Sequence, residues 1–285
     1  MINFFIALFF SSLIVITFKI IDRYKLHLLT VVFVNYLTAV IIGFSATHGF
    51  FLDNQLFGLP WFPYALAGGV LFIITFLLMG LSTRHAGLAI TSVAGKMSVV
   101  IPVIMGFWLL AEKAQGFKLF GIALALLAFY LTFASRSQES KKSLSRKIFP
   151  VLLFFSTGMG DSLIKYAQVN AIGNDFLPFL TVIFGVCLIA GIFMVTVQQG
   201  WQQTHWTSAN MFMGIALGIF NWLSTIFLLK AMQIMEASVI FPAFNASIVA
   251  IASLTGVFIF KEKLKTINWI GVTLAILATL LVAST

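Results

Sequence analysis

The sequence predicts an all-α integral membrane protein of about ten transmembrane helices, arranged as two inverted-topology repeats of five. Three observations lead there: an apolar content too high for a water-soluble domain, apolar runs of membrane-spanning length throughout, and a self-match between the two halves of the chain.

Of the 285 residues, 61% are hydrophobic and 9% charged, against about 25% charged in an average soluble domain. So much apolar surface needs lipid as its solvent. Runs of about 20 apolar residues recur, the length a helix needs to cross roughly 30 Å of hydrocarbon. The formal net charge is +9, but the basic residues are scattered over short connectors. That distribution argues for a topology signal and against a nucleic-acid partner. The single cysteine, Cys187, lies inside an apolar run, so no intrachain disulfide and no paired-thiolate metal site can form. The segment from Ile2 to Ile21 lacks a basic leader and a small-residue cleavage site and is expected to be the first span.

Apolar windows between charged or Gly/Pro breaks place five spans at residues 3–21, 28–46, 62–83, 86–110 and 116–135. Five more fall at 148–167, 177–198, 209–232, 237–260 and 266–284. Residues 136–147, rich in Ser and Lys, are too polar for lipid and form a basic linker between a first repeat, 1–135, and a second, 148–285.

An ungapped shift of 150 positions places Gly68 on Gly218, Thr75 on Thr225, Val99 on Val249 and Gly106 on Gly256. The match then tightens, with Glu112-Lys113 on Glu262-Lys263 and Gly121 on Gly271. Apolar composition alone would not align a charged pair. Upstream, with a gap, Leu8-Phe-Phe-Ser11 resembles Leu153-Phe-Phe-Ser156, and Lys19 lies near its span end as Lys165 does. Five spans per half, an odd number, would insert the halves in opposite directions. Two near-equivalent halves can then open a midplane site to each side in turn at similar free energy.

The stretches Ala111-Glu-Lys-Ala-Gln-Gly-Phe-Lys-Leu-Phe-Gly121 and Lys261-Glu-Lys-Leu-Lys-Thr-Ile-Asn-Trp-Ile-Gly271 share a pattern. A glutamate ends one span, a short polar link follows, and a Gly-containing span begins. On these residues the chain resembles the drug/metabolite transporter superfamily, EamA-like family, along its whole length. The glycine usual before the glutamate is absent from both copies, and Ala128 and Ala278 stand where a second glycine often occurs. The resemblance implies a multi-pass protein of the cytoplasmic (inner) membrane that moves small molecules. Ten spans in two halves can enclose a site without a second chain, so a monomer or homodimer is expected. The resemblance also implies both termini in the cytoplasm, whereas counting Lys and Arg by connector puts the linker inside and the termini outside. Trp61, Trp201, Trp206 and Trp269 stand near span ends, where interfacial anchors are expected.

Lys96 is the most informative residue. It lies about 15 Å into the fourth span, too deep to snorkel, where a charge costs on the order of 3 kcal/mol. It should face the bundle interior, either to bind a substrate carboxylate or phosphate or to form a buried ion pair. Asp161 is an acid inside a span, four residues before Lys165, so a local pair is one reading and a role beside Lys96 or in a proton relay another. Lys96 aligns with Ala246, but Phe241-Pro-Ala-Phe-Asn245 puts a proline and an amide at the same depth. Pro102 and Pro242 are candidates for cavity-lining kinks. Asn35, Tyr36, Asn221 and Trp222 could supply hydrogen bonds and an aromatic wall, or serve helix packing. Lys96, Asn245, Asp161, Asn35, Tyr36, Asn221 and Trp222 are thus the expected substrate-binding residues. Glu112 and Glu262, at span ends beside lysines, are expected to be structural caps.

No catalytic, cofactor-binding or metal-binding residues are expected. His27, His48, His85 and His205 all fall in connectors or at span ends, and no grouped nucleophile and base emerge for an intramembrane enzyme. The expectation is a secondary transporter, working as an exporter, of small polar metabolites such as amino acids or related organic anions. Its partners are the cargo and the lipid bilayer. An exporter of cationic drugs is the alternative, resting on Asp161.

Overall fold

In a computed structural model the chain is described at residues 2–47, 56–86, 88–112, 145–198 and 206–259, and at single positions between 116 and 131 and between 266 and 277. Helices account for nearly all of it: α1 (Ile2–Arg23), α2 (Leu28–Ala46), α3 (Phe62–Ala86), α4 (Leu88–Met97) and α5 (Val100–Leu109). Then come α6 (Ser145–Asn170), α7 (Phe176–Gln198), α8 (Ser208–Met232) and α9 (Ala237–Phe258). Among the described residues there is no strand.

Six helices, α2, α3 and α6 to α9, carry stretches long and apolar enough to cross a membrane. Large apolar side chains stay exposed on them, with Phe193 at 66% and Phe212 at 70%. Surfaces of that kind need lipid, and the helix is the form in which a chain in lipid satisfies its own backbone. The protein is an all-helical, multi-pass membrane protein. The spans expected at 116–135 and 266–284 lie largely outside the described residues, as does the linker up to residue 144. Residues 145–147, expected in that linker, are instead the first turn of α6.

Local chemistry sets several boundaries. α1 is followed by a left-handed residue, Lys25, with φ 50°. His27 then starts α2, its ring nitrogen accepting from the Thr30 N–H. Trp61, expected at the lipid interface, is buried at the start of α3, where its indole donates to Asp175 Oδ2 at 2.9 Å and its ring meets Phe179 edge-on.

The helices gather into two compact units, each drawing on both halves of the sequence. One holds Ile2–Ile73 and Ala167–Ala231; the other holds Ile74–Tyr166 and Met232–Thr285.

In the first unit α2 packs along α7. Gly218 of α8 sits so close to α2 that a Cβ there would lie 2.7 Å from the Asn35 carbonyl oxygen. Its repeat counterpart Gly68, on α3, faces Ile183 of α7. Ser11 of α1 bonds Ser224 of α8, hydroxyl to hydroxyl.

In the second unit α5 packs along α9. Thr75 of α3 and Ser156 of α6 bond hydroxyl to hydroxyl at 2.7 Å, and Ser82 bonds Thr91 at the same distance. Ala246, Val249 and Ala250 of α9 form a tight apolar cluster with Met97, Leu254 and Leu274 against it.

Candidate functional site

The fourth apolar span was expected to be one helix over 86–110; the structure breaks it at Ser98–Val99 into α4 and α5. Pro102 supplies the reason. It has no N–H for the Ser98 carbonyl, so the Ile101 N–H takes that oxygen at 2.9 Å and Pro102 falls in the first turn of a new helix, where proline is tolerated. The Ser98 hydroxyl donates to the Gly95 carbonyl at 2.7 Å, holding the end of α4. Pro242 does not have this effect, and α9 continues through it.

Lys96 stands in the last turn of α4, the end of a helix that favours a cation. Its ammonium donates to Asn245 Oδ1 on α9 at 3.1 Å. These positions are neighbours in the repeat register, since Asn245 aligns with Gly95 and Ala246 with Lys96. Ala246 is only 1% exposed, so a second lysine there would have no room. The amide orients the ammonium without neutralising it.

Asp161 of α6 interacts electrostatically with Lys96. α6 lies close against the α4–α5 break: a Cβ on Gly158 would come 2.8 Å from the Ser98 carbonyl oxygen. The local Asp161–Lys165 pair considered from the sequence gives way to a different arrangement. Lys165 is buried, and its ammonium donates to the Met232 and Met235 carbonyls, the latter at 2.9 Å, at the C-terminus of α8. Free carbonyls at a helix end are strong acceptors for a buried ammonium. Lys165 also interacts electrostatically with Glu112.

Glu112 caps, as its span-end position suggested, but the helix it caps begins 125 residues further on. Its carboxylate accepts from the Ala237 N–H at 2.5 Å, the Ser238 N–H at 3.0 Å and the Ser238 hydroxyl. A left-handed Ala111, φ 51°, turns the chain into this position. A positive φ on a residue with a side chain is strained and persists where surrounding contacts hold it. The residue preceding α9, Glu236, makes no side-chain cap, so the first N–H groups of α9 depend on Glu112. Glu262 lies outside the described residues.

The other expected site residues belong to the first unit. Asn221 Nδ2 donates to Asn35 Oδ1 at 3.3 Å, joining α8 to α2. Tyr36 stacks at a tilt on Phe184, with ring centroids 6.2 Å apart. Trp222 is 9% exposed, and its buried indole N–H has no hydrogen-bond partner among the described residues.

The sequence did not single out Thr157 and Ser162, the other buried polar side chains without a partner among the described residues. Their one sequence signal is that they bracket Asp161.

Comparison with known proteins decides the family. Residues 148–284 match the EamA-like transporter family. An uncharacterized transporter from the cobO 3' region of Sinorhizobium sp is 30% identical over 118 residues, covering 41% of this chain and 79% of that protein. The chain belongs to the EamA-like transporter family. An uncharacterized Haemophilus influenzae protein is 24% identical over 282 residues, 95% of this chain and 93% of that one. The crystal structure of another protein superposes with a TM-score of 0.77 over 99% of this chain and 96% of its own, at 11% identity. At that identity the likeness is one of fold alone. As an EamA-like protein, the chain is a multi-pass membrane protein of a family that transports small molecules.

Proposed function

We propose that this EamA-like protein is a secondary transporter, working as an exporter in the cytoplasmic membrane, of small polar metabolites that carry an anionic group, amino acids or related organic anions among them. The observation that carries the reading is Lys96, held by the Asn245 amide at 3.1 Å beside a break in its own helix. A lysine in a membrane interior is expensive unless something anionic answers it. Asp161 answers in part, and an incoming carboxylate or phosphate would compete for the same ammonium. Broken helices are a recurrent way to bring backbone polarity to a transport site.

Alternating access between two five-helix repeats, 1–135 and 148–285, is the mechanism we favour. Support comes from contacts that occur twice. Ser11 with Ser224 and Ser156 with Thr75 are equivalent within one residue of register, each linking the first helix of one half to the third of the other. Gly68 and Gly218 likewise each face the second helix of the opposite half. Near-equivalent packing of this kind gives two conformations of similar free energy. Asn35, Tyr36, Asn221 and Trp222, gathered within the first unit, are kept apart from this reading as candidates for uncharged hydrogen-bonding and aromatic contacts to a small molecule.

A metabolite-panel thermal-shift screen tests the reading, since a ligand of the folded state raises its apparent stability. Anions should stabilise the wild type and not Lys96→Ala. The cationic-drug reading rests on Asp161. Stabilisation by organic cations that is lost in Asp161→Asn and kept in Lys96→Ala would replace the first reading with the second.

A further inference from the structure

Several buried or half-buried hydroxyls within the described helices of this protein bond in one of two ways. Ser12, Thr17, Thr181, Thr225 and Ser247 each donate to the carbonyl four residues back, at 2.7 to 2.9 Å. Others pair across helices, as Ser156 does with Thr75. Thr157 and Ser162 on α6 do neither among the described residues, although their oxygens are buried. A buried polar atom without a partner is destabilising, and more so in lipid, where water is scarce. The ordinary remedy, the Leu153 carbonyl for Thr157 and the Gly158 carbonyl for Ser162, lies one turn away on the same helix and is not used.

Their position is informative. Thr157 is one turn before Asp161 and Ser162 one residue after it. Gly158, one turn before Ser162, is where α6 touches the α4–α5 break at Ser98 and Ile101. Residues four apart share a helix face, so Ser162 continues the face that Gly158 presents to the break, with Asp161 beside it. Asp161 interacts electrostatically with Lys96, in the last turn before that break.

We infer that Thr157 and Ser162 are cargo-binding hydroxyls, donating to the oxygens of the anionic group, a carboxylate or phosphate, that Lys96 attracts. This rests on the reading of Lys96 as an anion-accepting residue. A lysine gives charge and little directionality, whereas an O–H on a rigid helix fixes where an acceptor oxygen must lie. The two hydroxyls thus set the orientation of the anion, and they do so without adding charge to the membrane interior.

The test titrates full-length protein in phosphatidylcholine nanodiscs with benzoate, glutamate and inorganic phosphate by calorimetry. Wild type is compared with Lys96→Ala, Ser162→Ala, Thr157→Val and Ser162→Thr. At least one anion should bind the wild type and not Lys96→Ala. For that anion Ser162→Ala and Thr157→Val should each weaken binding about tenfold, the usual scale for a hydrogen bond to a charged group. Ser162→Thr, which keeps the hydroxyl, should restore it and so exclude misfolding as the cause. Affinity within twofold of wild type in both hydroxyl variants, with binding lost in Lys96→Ala, overturns the inference and leaves the reading of Lys96 intact. Equal binding by Lys96→Ala, or no binding of any of the three anions to wild type, overturns that reading and the inference with it.

Discussion

Lys96 donates to Asn245 at 3.1 Å, and the two residues come from positions one apart in the repeat register, on opposite halves of the chain. The two halves of the sequence, which align at Glu112 and Glu262, differ at this depth: lysine stands at 96 and an alanine packed into the apolar core at 246.

Asn245 should act on cargo through Lys96. Asn245→Ala removes the acceptor that orients the ammonium and is expected to lower counterflow of anionic cargo about tenfold, the scale of one hydrogen bond to a charged group. Asn245→Asp places a carboxylate at 245 and should suppress anion transport further, by occupying the ammonium as cargo would. Initial rates in proteoliposomes separate the two; faster anion flux in Asn245→Asp would contradict this role.

Glu112 should be a stability residue. Removing its carboxylate leaves the Ala237 and Ser238 N–H groups without their cap, a loss of about 1–3 kcal/mol. Glu112→Ala should therefore melt several degrees below wild type. Ser238→Ala, which removes only the hydroxyl, should cost about 1 kcal/mol. Because both act on one network, the double variant should lose less than the sum; strict additivity in thermal melts would show that the cap is not shared.

Trp222 carries a buried N–H without a partner among the described residues. Trp222→Phe abolishes that donor while keeping an aromatic ring, so the protein without cargo should melt at or above the wild-type temperature. The gain should be about 1 kcal/mol at most, since the smaller ring also forfeits packing. A drop of several degrees would mean that the indole N–H is already satisfied.

Two glycines flanking the break should respond in opposite ways. Gly158→Ala drives a methyl to within 2.8 Å of the Ser98 carbonyl oxygen, which is backbone and cannot yield cheaply, so about 1–3 kcal/mol should be lost. Gly95→Ala meets nothing nearer than Leu153 at 4.0 Å and should be neutral or slightly stabilising. Thermal melts of the two purified variants give the comparison directly, and equal effects would contradict the packing described for α6.

Much of the fold is legible in the sequence, because lipid imposes a simple rule of about 20 apolar residues per span. The described helices follow it at α2, α3 and α6 to α9. The break at Ser98 was not legible, because Pro102 and Pro242 look alike as letters. Pro102 falls where a hydroxyl holds the preceding helix end, whereas Pro242 follows a first turn anchored by Glu112. The Lys165 contact was misjudged for a related reason. Local spacing offers Asp161 four residues away, but the carbonyls at the end of α8 come from a segment about 70 residues distant and are visible only once the chain is folded. Trp61 looked like an interfacial anchor because burial cannot be read from proximity to a span end; Asp175 supplies the partner that lets its indole lie inside. The chemistry around Lys96 was legible in part. Depth in an apolar run singled out Lys96 and Asp161 as candidates, Lys96 suggesting an anionic cargo and Asp161 a cationic one, while the orphaned hydroxyls of Thr157 and Ser162 depend on contacts that no spacing encodes.

The central claim is that Lys96 receives an anionic group of the cargo. Counterflow of a radiolabelled anionic metabolite into liposomes containing wild type, Lys96→Ala or Asp161→Asn tests it most directly. The account predicts flux in wild type, flux retained in Asp161→Asn and none above background in Lys96→Ala; undiminished flux in Lys96→Ala would contradict it.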